Sequence, residues 1–220
     1  MPPELPPYHP PMEPFLDILY QDDDLLFLNK PSGLLTVPGK NEDMKDCLES
    51  RVQAQFSAAT IIHRLDMETS GVLVMARHKD AHRAVSRQFE MRQTEKYYEA
   101  VVWGVLPQDT GEVDEPLICD WPNRPLQKIC YDHGKKAVTN YTVLDRTETT
   151  TRVTLNPITG RSHQLRVHML HLGHPILGDR LYASGEAYTA SPRLALHANS
   201  LKITHPETSE SLDISAPIPF

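Results

Sequence analysis

Short apolar runs divided by turn residues, rather than by helix-length connections, constrain this 220-residue chain more than any other feature. Strands joined by short turns pair antiparallel, because a parallel return needs a dozen or more residues. Ile18–Tyr20 and Leu25–Asn29 flank an acidic turn at Asp22–Asp24, and Lys30-Pro-Ser-Gly33 turns the chain again. Val72–Ala76 is continuously apolar and reads as a buried strand. Tyr97–Trp103, Val138–Leu144 and Arg152–Leu155 read as further strands, and Leu201–Thr204 with Leu212–Ser215 as a closing hairpin. Glu112–Cys119 and Lys128–Tyr131 are expected to form a hairpin around Trp121-Pro-Asn-Arg-Pro125. Helical spacing is confined to Asp43–Phe56, Lys79–Arg92 and Ser162–Leu172, the last stopped by Gly173. The expected class is α+β, with a largely antiparallel mixed sheet flanked by helices.

Seven of the first fourteen residues are proline, so residues 1–14 are expected to be an extended tail and residues 15–220 the folded domain. Met1-Pro-Pro-Glu-Leu-Pro-Pro lacks the basic and apolar regions of a secretory signal, and no apolar run is long enough to span a bilayer. Three cysteines without a CxxC argue against a disulfide framework or a thiolate zinc site and for a reducing, cytoplasmic compartment. The net charge of −7 gives nucleic-acid binding no support. The acidity is concentrated early: residues 1–60 carry ten acids against four bases, and the remainder nineteen against eighteen. A local basic groove is therefore compatible with the later part.

Three segments carry candidate chemistry. In His63-Arg-Leu-Asp-Met-Glu-Thr-Ser-Gly71, Asp66 lies in a loop immediately before a buried strand, near Arg64. Loops held on rigid strands commonly carry catalytic groups, and a nearby arginine keeps a carboxylate ionised. The plainer alternative is an Asp–Arg pair that orients a turn. In Gly160-Arg-Ser-His-Gln-Leu-Arg166, a helix start with Arg161 would attract a phosphate, and Arg166 lies one turn further in. The alternative there is a solvated basic first turn. In Tyr97-Tyr-Glu-Ala100, strand alternation puts the two tyrosines on opposite faces, one of them in ordinary core. A tyrosine facing a cleft offers a flat ring for a base and a hydroxyl for proton handling.

Taken in order, these segments resemble the RluA family of pseudouridine synthases. His63-Arg-Leu-Asp66 with Thr69-Ser-Gly71 is similar to the family's catalytic motif, and Asn29-Lys-Pro-Ser-Gly33 to its N-terminal motif. Gly160–Arg166 resembles its arginine motif, followed by His174-Pro-Ile-Leu-Gly-Asp179 and Leu196-His-Ala198. The resemblance runs from about Phe15 to the C-terminus. It implies a pseudouridine synthase fold with a catalytic cleft across the sheet. It makes Asp66 the nucleophile, with Arg166 as its partner and Tyr98 stacked on the uracil. Arg64 would contact RNA near the flipped nucleotide, Leu165 would pack on the base, and Arg161 would bind the substrate backbone. Leu117–Pro125 resembles the dual-specificity members, which modify a 23S ribosomal RNA hairpin loop and the tRNA anticodon stem-loop. Those members lack the S4-type domain of many relatives, and none is expected here. A monomer that takes RNA as its partner, with no membrane association, is the matching expectation.

Pseudouridine formation breaks the C1′–N1 bond, turns the uracil and joins C5 to C1′. No atoms or electrons are gained or lost, so no cofactor or metal is expected, and the sequence has neither a P-loop nor a GxGxxG. The target base must leave its stack to react. Asp66 attacks either C6 of the base or C1′ of the ribose. The first rival reading is a metal-dependent hydrolase, because His163, His168, His171 and His174 fall within twelve residues. Their spacing does not share one helix face, and no HExxH or nearby cysteine supports it. The second rival, a non-catalytic RNA-binding module, is disfavoured by the acidic charge and the absence of an aromatic-rich RNP motif.

Overall fold

The computed structural model describes residues 7–220; the part of the expected tail in residues 1–6 lies outside them. Along the chain run β1 (Ile18–Gln21), β2 (Leu25–Lys30), α1 (Leu48–Gln53), β3 (Thr60–Ile61), β4 (Ser70–Ala76) and α2 (Lys79–Glu90). They are followed by β5 (Glu95–Trp103), β6 (Thr110–Asp114), β7 (Leu117–Cys119), β8 (Gln127–Ile129), β9 (Val138–Arg146) and β10 (Thr150–Pro157). The last elements are α3 (Gln164–His171), α4 (Gly185–Thr189), β11 (Leu196–Thr204) and β12 (Ser211–Ser215). The described residues form two compact units, one made of 7–96 and 197–219, the other of 97–196 with Phe220.

The first unit is built around β4. β2 pairs with it antiparallel along its length, β1 pairs with β2, and β3 covers the end of β4. β11 pairs with β4 in parallel at His197↔Ser70 and Ala198↔Gly71, and β12 continues antiparallel to β11. Every residue of β4 is buried, which accounts for its unbroken apolar run. Val72, Val74 and Ala76 pack with Leu25 and Phe27 of β2, Ala81 and Val85 of α2, and Leu201 and Ile203 of β11. Fully burying a valine, leucine, isoleucine or phenylalanine side chain contributes about 1.5–3 kcal/mol. The i, i+4 spacing of Ala81, Val85 and Phe89 that marks α2 in the sequence is the face it buries.

Residues 7–14 carry neither helix nor strand, in keeping with their prolines, but they are anchored. The Tyr8 hydroxyl donates to the Asp46 carbonyl (2.8 Å) and accepts from the Leu35 amide (3.1 Å). Arg51 is buried, forks onto Asp46 (2.7 Å on each arm) and lies 4.7 Å over the Phe15 ring. The helix expected over Asp43–Phe56 is shorter. A 3-10 turn at Glu42–Met44 precedes α1, which starts only after Cys47 because the Cys47 thiol and the Ser50 hydroxyl cap each other's backbone.

In the second unit β5, β10, β9 and β6 form an antiparallel sheet in that order. Ala100, Val102, Val153 and Leu155 of this sheet pack with Leu165 and Met169 of α3 and with Ile176 and Leu177. The single strand expected over Glu112–Cys119 is two strands with different partners. β6 pairs with β9, whereas β7 pairs with β8 in a separate ribbon. The break falls at Glu115-Pro116, where proline has no amide hydrogen to continue a ladder. The short helix α4 has no counterpart among the elements expected from sequence. The fold class itself stands: both units are mixed α and β, with mostly antiparallel pairing.

Candidate active site

Asp66 sits half-buried between β3 and β4, with Leu65 buried beside it and Arg64 exposed. Its loop is held by the Asn29–Gly33 segment and the residues just after it. Four successive carbonyls are engaged: Leu65 by the Thr36 hydroxyl (2.7 Å), Asp66 by the Thr69 amide (3.1 Å), Met67 by the Gly33 amide (2.9 Å) and Glu68 by the Ser32 hydroxyl (2.7 Å). Lys30 adds a second bond to Met67. Its ammonium is fully buried and donates to the carbonyls of Pro31 (2.9 Å), Leu34 (2.7 Å) and Met67 (2.9 Å). Gly33 needs its glycine, since φ there is +84°. In the sequence Lys30-Pro-Ser-Gly33 reads as a turn within a segment that resembles the family's N-terminal motif, with no role attached to it. The structure makes it the seat of the Asp66 loop.

The strand end beyond that loop is fixed as well. A Cβ on Gly71 would fall 2.2 Å from the Ala198 carbonyl oxygen, so β4 and β11 approach as closely as they do only with glycine there. Next to this contact the Ser70 hydroxyl meets Nδ1 of His197 at 2.8 Å. This explains why Thr69-Ser-Gly71 and Leu196-His-Ala198 belong together. His63 stacks on Phe89 (centroids 4.6 Å apart) and accepts the Val74 amide at Nε2 (3.2 Å). Desolvation, with Lys96 nearby, pushes its pKa down to about 3, so the ring is neutral and structural.

In the second unit Tyr98 lies on β5 opposite Leu155 and packs against the core, while Tyr97 is exposed, as alternation requires. Leu165 and Arg166 open α3, both buried. The solvated alternative does not hold for Arg166, which is 3% exposed. Its Nε and Nη2 fork onto Asp179 at 2.7 and 2.6 Å. Asp179 also accepts the amides of Leu181 (2.9 Å) and Tyr182 (3.2 Å), and the guanidinium lies 5.1 Å over the Tyr182 ring. A Cβ on Gly178 would lie 2.1 Å from the Arg193 carbonyl oxygen, which explains the glycine before Asp179. Asp179 and Tyr182 are the site-supporting residues that sequence reasoning missed as partners of Arg166. Their only signal was the Gly-Asp pair in the segment after α3.

The turn before α3 is organised by Gln164. Its side-chain oxygen accepts from the Thr159 hydroxyl (2.7 Å) and the Arg161 amide (3.0 Å). Its side-chain nitrogen donates to the Val138 carbonyl (2.9 Å) and the Thr139 hydroxyl (3.0 Å). All four bonding capacities of the amide are used. The Arg161 side chain is exposed, its Nε donating to the Lys136 carbonyl (3.1 Å).

The four clustered histidines each have polar partners, Glu115 being shared by two of them. His163 meets the Tyr182 hydroxyl (2.7 Å), His168 the Thr139 hydroxyl and Glu115 carbonyl (2.9 and 3.1 Å), His171 the Glu115 carboxylate (3.6 Å) and His174 the Trp103 carbonyl (2.8 Å). Burial lowers the pKa of His168. Among the described residues, metal-ligand spacing occurs instead in the first unit, at Asp22, Asp24 and His205. There Nδ1 of His205 accepts the Glu207 and Thr208 amides (3.2 and 3.1 Å), which puts its ring proton on Nε2, facing Asp22 at 2.9 Å. A ligating histidine donates from its second nitrogen, whereas this one accepts there. The cluster joins two turns by hydrogen bonds and is not built as a metal centre.

Comparison with known proteins decides the family. The profile of the RNA pseudouridylate synthase family matches residues 24–171. The dual-specificity RNA pseudouridine synthase RluA of Escherichia coli K12 is 57% identical over 97% of this chain and 98% of its own length. The chain belongs to the RluA family of RNA pseudouridine synthases. Its relatives of the same description in Pasteurella multocida and Haemophilus influenzae are 55% and 53% identical over the same share. The synthase also superimposes on human RNA pseudouridylate synthase domain containing 1, with a TM-score of 0.78 and 29% identity over 93% of this chain and 84% of that one. Human RNA pseudouridylate synthase domain containing 4 gives 0.76 and 30%, over 92% and 88%. The synthase is thus an isomerase of uridine in RNA. No helix among its described residues is long and apolar enough to cross a membrane.

Proposed function

We propose that this synthase acts as a cytoplasmic monomer on two substrates, a 23S ribosomal RNA hairpin loop and the tRNA anticodon stem-loop, with Asp66 as nucleophile. The observation that carries the reading is the fixed Asp66 loop, whose four successive carbonyls are all hydrogen-bonded within their own unit. A nucleophile held in place before substrate arrives avoids the ordering cost that otherwise adds to the barrier. The two-RNA specificity is supported by RluA relatives described as dual-specificity enzymes across nearly the whole chain.

In the reaction Asp66 attacks C6 or C1′, the C1′–N1 bond breaks, and the uracil turns to present C5. A C5–C1′ bond forms and the bond to Asp66 breaks to return the free carboxylate, the C5 proton leaves, and N1 ends protonated. By the family resemblance Tyr98 would stack on the uracil, Leu165 would pack against it and Arg166 would be the catalytic arginine, its plane set by Asp179. Exposed Arg64 and Arg161 serve the flipped site and the phosphate backbone. Loops suit this chemistry because their bases are already poorly stacked and cost least to extrude. The test is tritium release from C5-labelled uridine in two short synthetic stem-loops. Both should react with the wild-type protein and neither with Asp66→Asn. Failure of both stem-loops, or turnover by the variant at a tenth of the normal rate, overturns the reading.

A further inference from the structure

We propose that the β7–β8 ribbon is an RNA-reading arm whose tip, Trp121 with Arg124, stacks on an unpaired base of the substrate loop. The inference rests on the stem-loop reading above and names a surface for it. Trp121 is 68% exposed, and the Arg124 guanidinium lies 4.7 Å over its ring. A singly exposed apolar side chain is ordinary on a protein surface; what sets Trp121 apart is the guanidinium stacked on its ring.

The tip is rigid. Asn123 and Leu126 donate backbone N–H groups to the Asp120 and Asn123 carbonyls (2.9 and 3.0 Å), and the Asp120 amide donates to the Leu126 carbonyl (2.9 Å). The Asp120 carboxylate accepts from the Asn123 side chain (2.8 Å) and Lys128 (3.0 Å), so its charge is already matched. A flat ring and a flat cation held this way form a stacking platform with little ordering cost.

The chemistry of the tip, a planar cation stacked on a flat ring, favours a nucleobase over a protein partner. The arm carries Arg124 and Lys128, and the chain after it adds Lys135 and Lys136, with Lys135 bridged to Leu117 of β7 and the Lys136 carbonyl bound by Arg161. Lys128 and Lys136 are paired with Asp120 (3.0 Å) and Asp114 (3.5 Å). The foot of the arm is tied to the arginine motif, because the Gln127 amide donates to the Tyr182 hydroxyl (2.9 Å), which also meets His163. The ring of that tyrosine lies under Arg166. A base caught at the tip is therefore connected through one side chain to a residue of the proposed reaction centre.

Trp121→Ala, Trp121→Phe and Arg124→Ala should leave melting unchanged, since both side chains are exposed. Stacking on one base is worth about tenfold or more in affinity, so Trp121→Ala should raise Kd for the stem-loops by about that factor. Trp121→Phe should recover most of it, and kcat at saturating RNA should stay at the wild-type value. Binding of a stem-loop should quench tryptophan fluorescence in the wild type and not in Trp121→Phe. Unchanged Kd in Trp121→Ala, or a loss of self-association in its place, overturns the arm while wild-type turnover of the stem-loops keeps the stem-loop reading intact. Absence of wild-type turnover instead overturns that reading.

Discussion

Replacing Lys30 with methionine tests whether the loop of Asp66 is held by the buried ammonium. Methionine keeps most of the aliphatic stem and removes three donated hydrogen bonds. The Met67 carbonyl retains the Gly33 amide, so the carbonyls of Pro31 and Leu34 are the ones that lose this donor. A buried carbonyl deprived of its partner costs about 1–3 kcal/mol. Relief of the ammonium's desolvation offsets part of the sum, leaving a net loss of about 2–4 kcal/mol. For a chain of this size each kcal/mol lowers Tm by about 2–4 °C, so the variant should melt roughly 5–15 °C lower and still fold. Catalysis should suffer more than stability, because displacing a reacting group by 1 Å costs about 100-fold in rate. Calorimetry gives the first quantity and single-turnover tritium release the second. A variant with wild-type kcat and a Tm within about 2 °C of the parent would refute the reasoning.

Asp66→Asn should abolish turnover while RNA affinity and melting stay near wild type, read by tritium release and filter binding. Activity should survive dialysis against EDTA; inactivation that zinc reverses would mean the histidines had been misread. Arg166→Ala should lower kcat by at least 100-fold by analogy with other lost charge-stabilising groups, and Asp179→Asn should lower it less, whereas Arg64→Ala should act mainly on use of structured RNA. Equal and mild effects of the two arginine changes in steady-state kinetics would count against both roles. His63 has its folded pKa depressed from 6.5 to about 3, so the unfolded chain binds the extra proton between those values. Stability from this group is therefore complete above about pH 6.5 and falls as pH drops towards 3, by at most about 1.4 kcal/mol per pH unit. His63→Gln should flatten that part of the pH–Tm curve, and an unchanged slope would reject the neutral-ring assignment.

The elements legible in the sequence are those whose burial follows a simple period. β4 and α2 were visible because one is buried on every side and the other on one stripe. α3 was visible as a helix, yet six of its eight residues are buried, so its polar members could not be sorted by period. Gln164, Arg166 and His168 look solvated in the sequence and are interior because Thr159, Asp179 and Thr139 meet them there. The partition of residues 112–119 into two strands was hidden because both halves alternate suitably and only Pro116 marks the change of partner. Lys30 was opaque for a different reason. A lysine beside Pro-Ser-Gly reads as a surface turn, and only the return of residues 65–68 over it supplies the carbonyls that bury it.

The same distinction separates two kinds of residue within the recognisable motifs. Asn29–Gly33, Ser70-Gly71, His197-Ala198 and Gly178-Asp179 have their structural roles in pairs: the first seats the Asp66 loop, the second and third lock to each other, and the fourth orients Arg166. Each pair joins segments that are distant in sequence, which is why no single motif announces its purpose. Asp66 and Arg64 differ in kind. Asp66 is half-buried and Arg64 exposed, although the backbone that carries them is fixed by the surrounding hydrogen bonds. Rigid backbone beneath accessible polar side chains is what a site needs if it must act on a base that arrives from outside and is turned within it. The motif is therefore mostly scaffold, and in the proposed reading the chemistry rests on the few side chains that the scaffold leaves accessible.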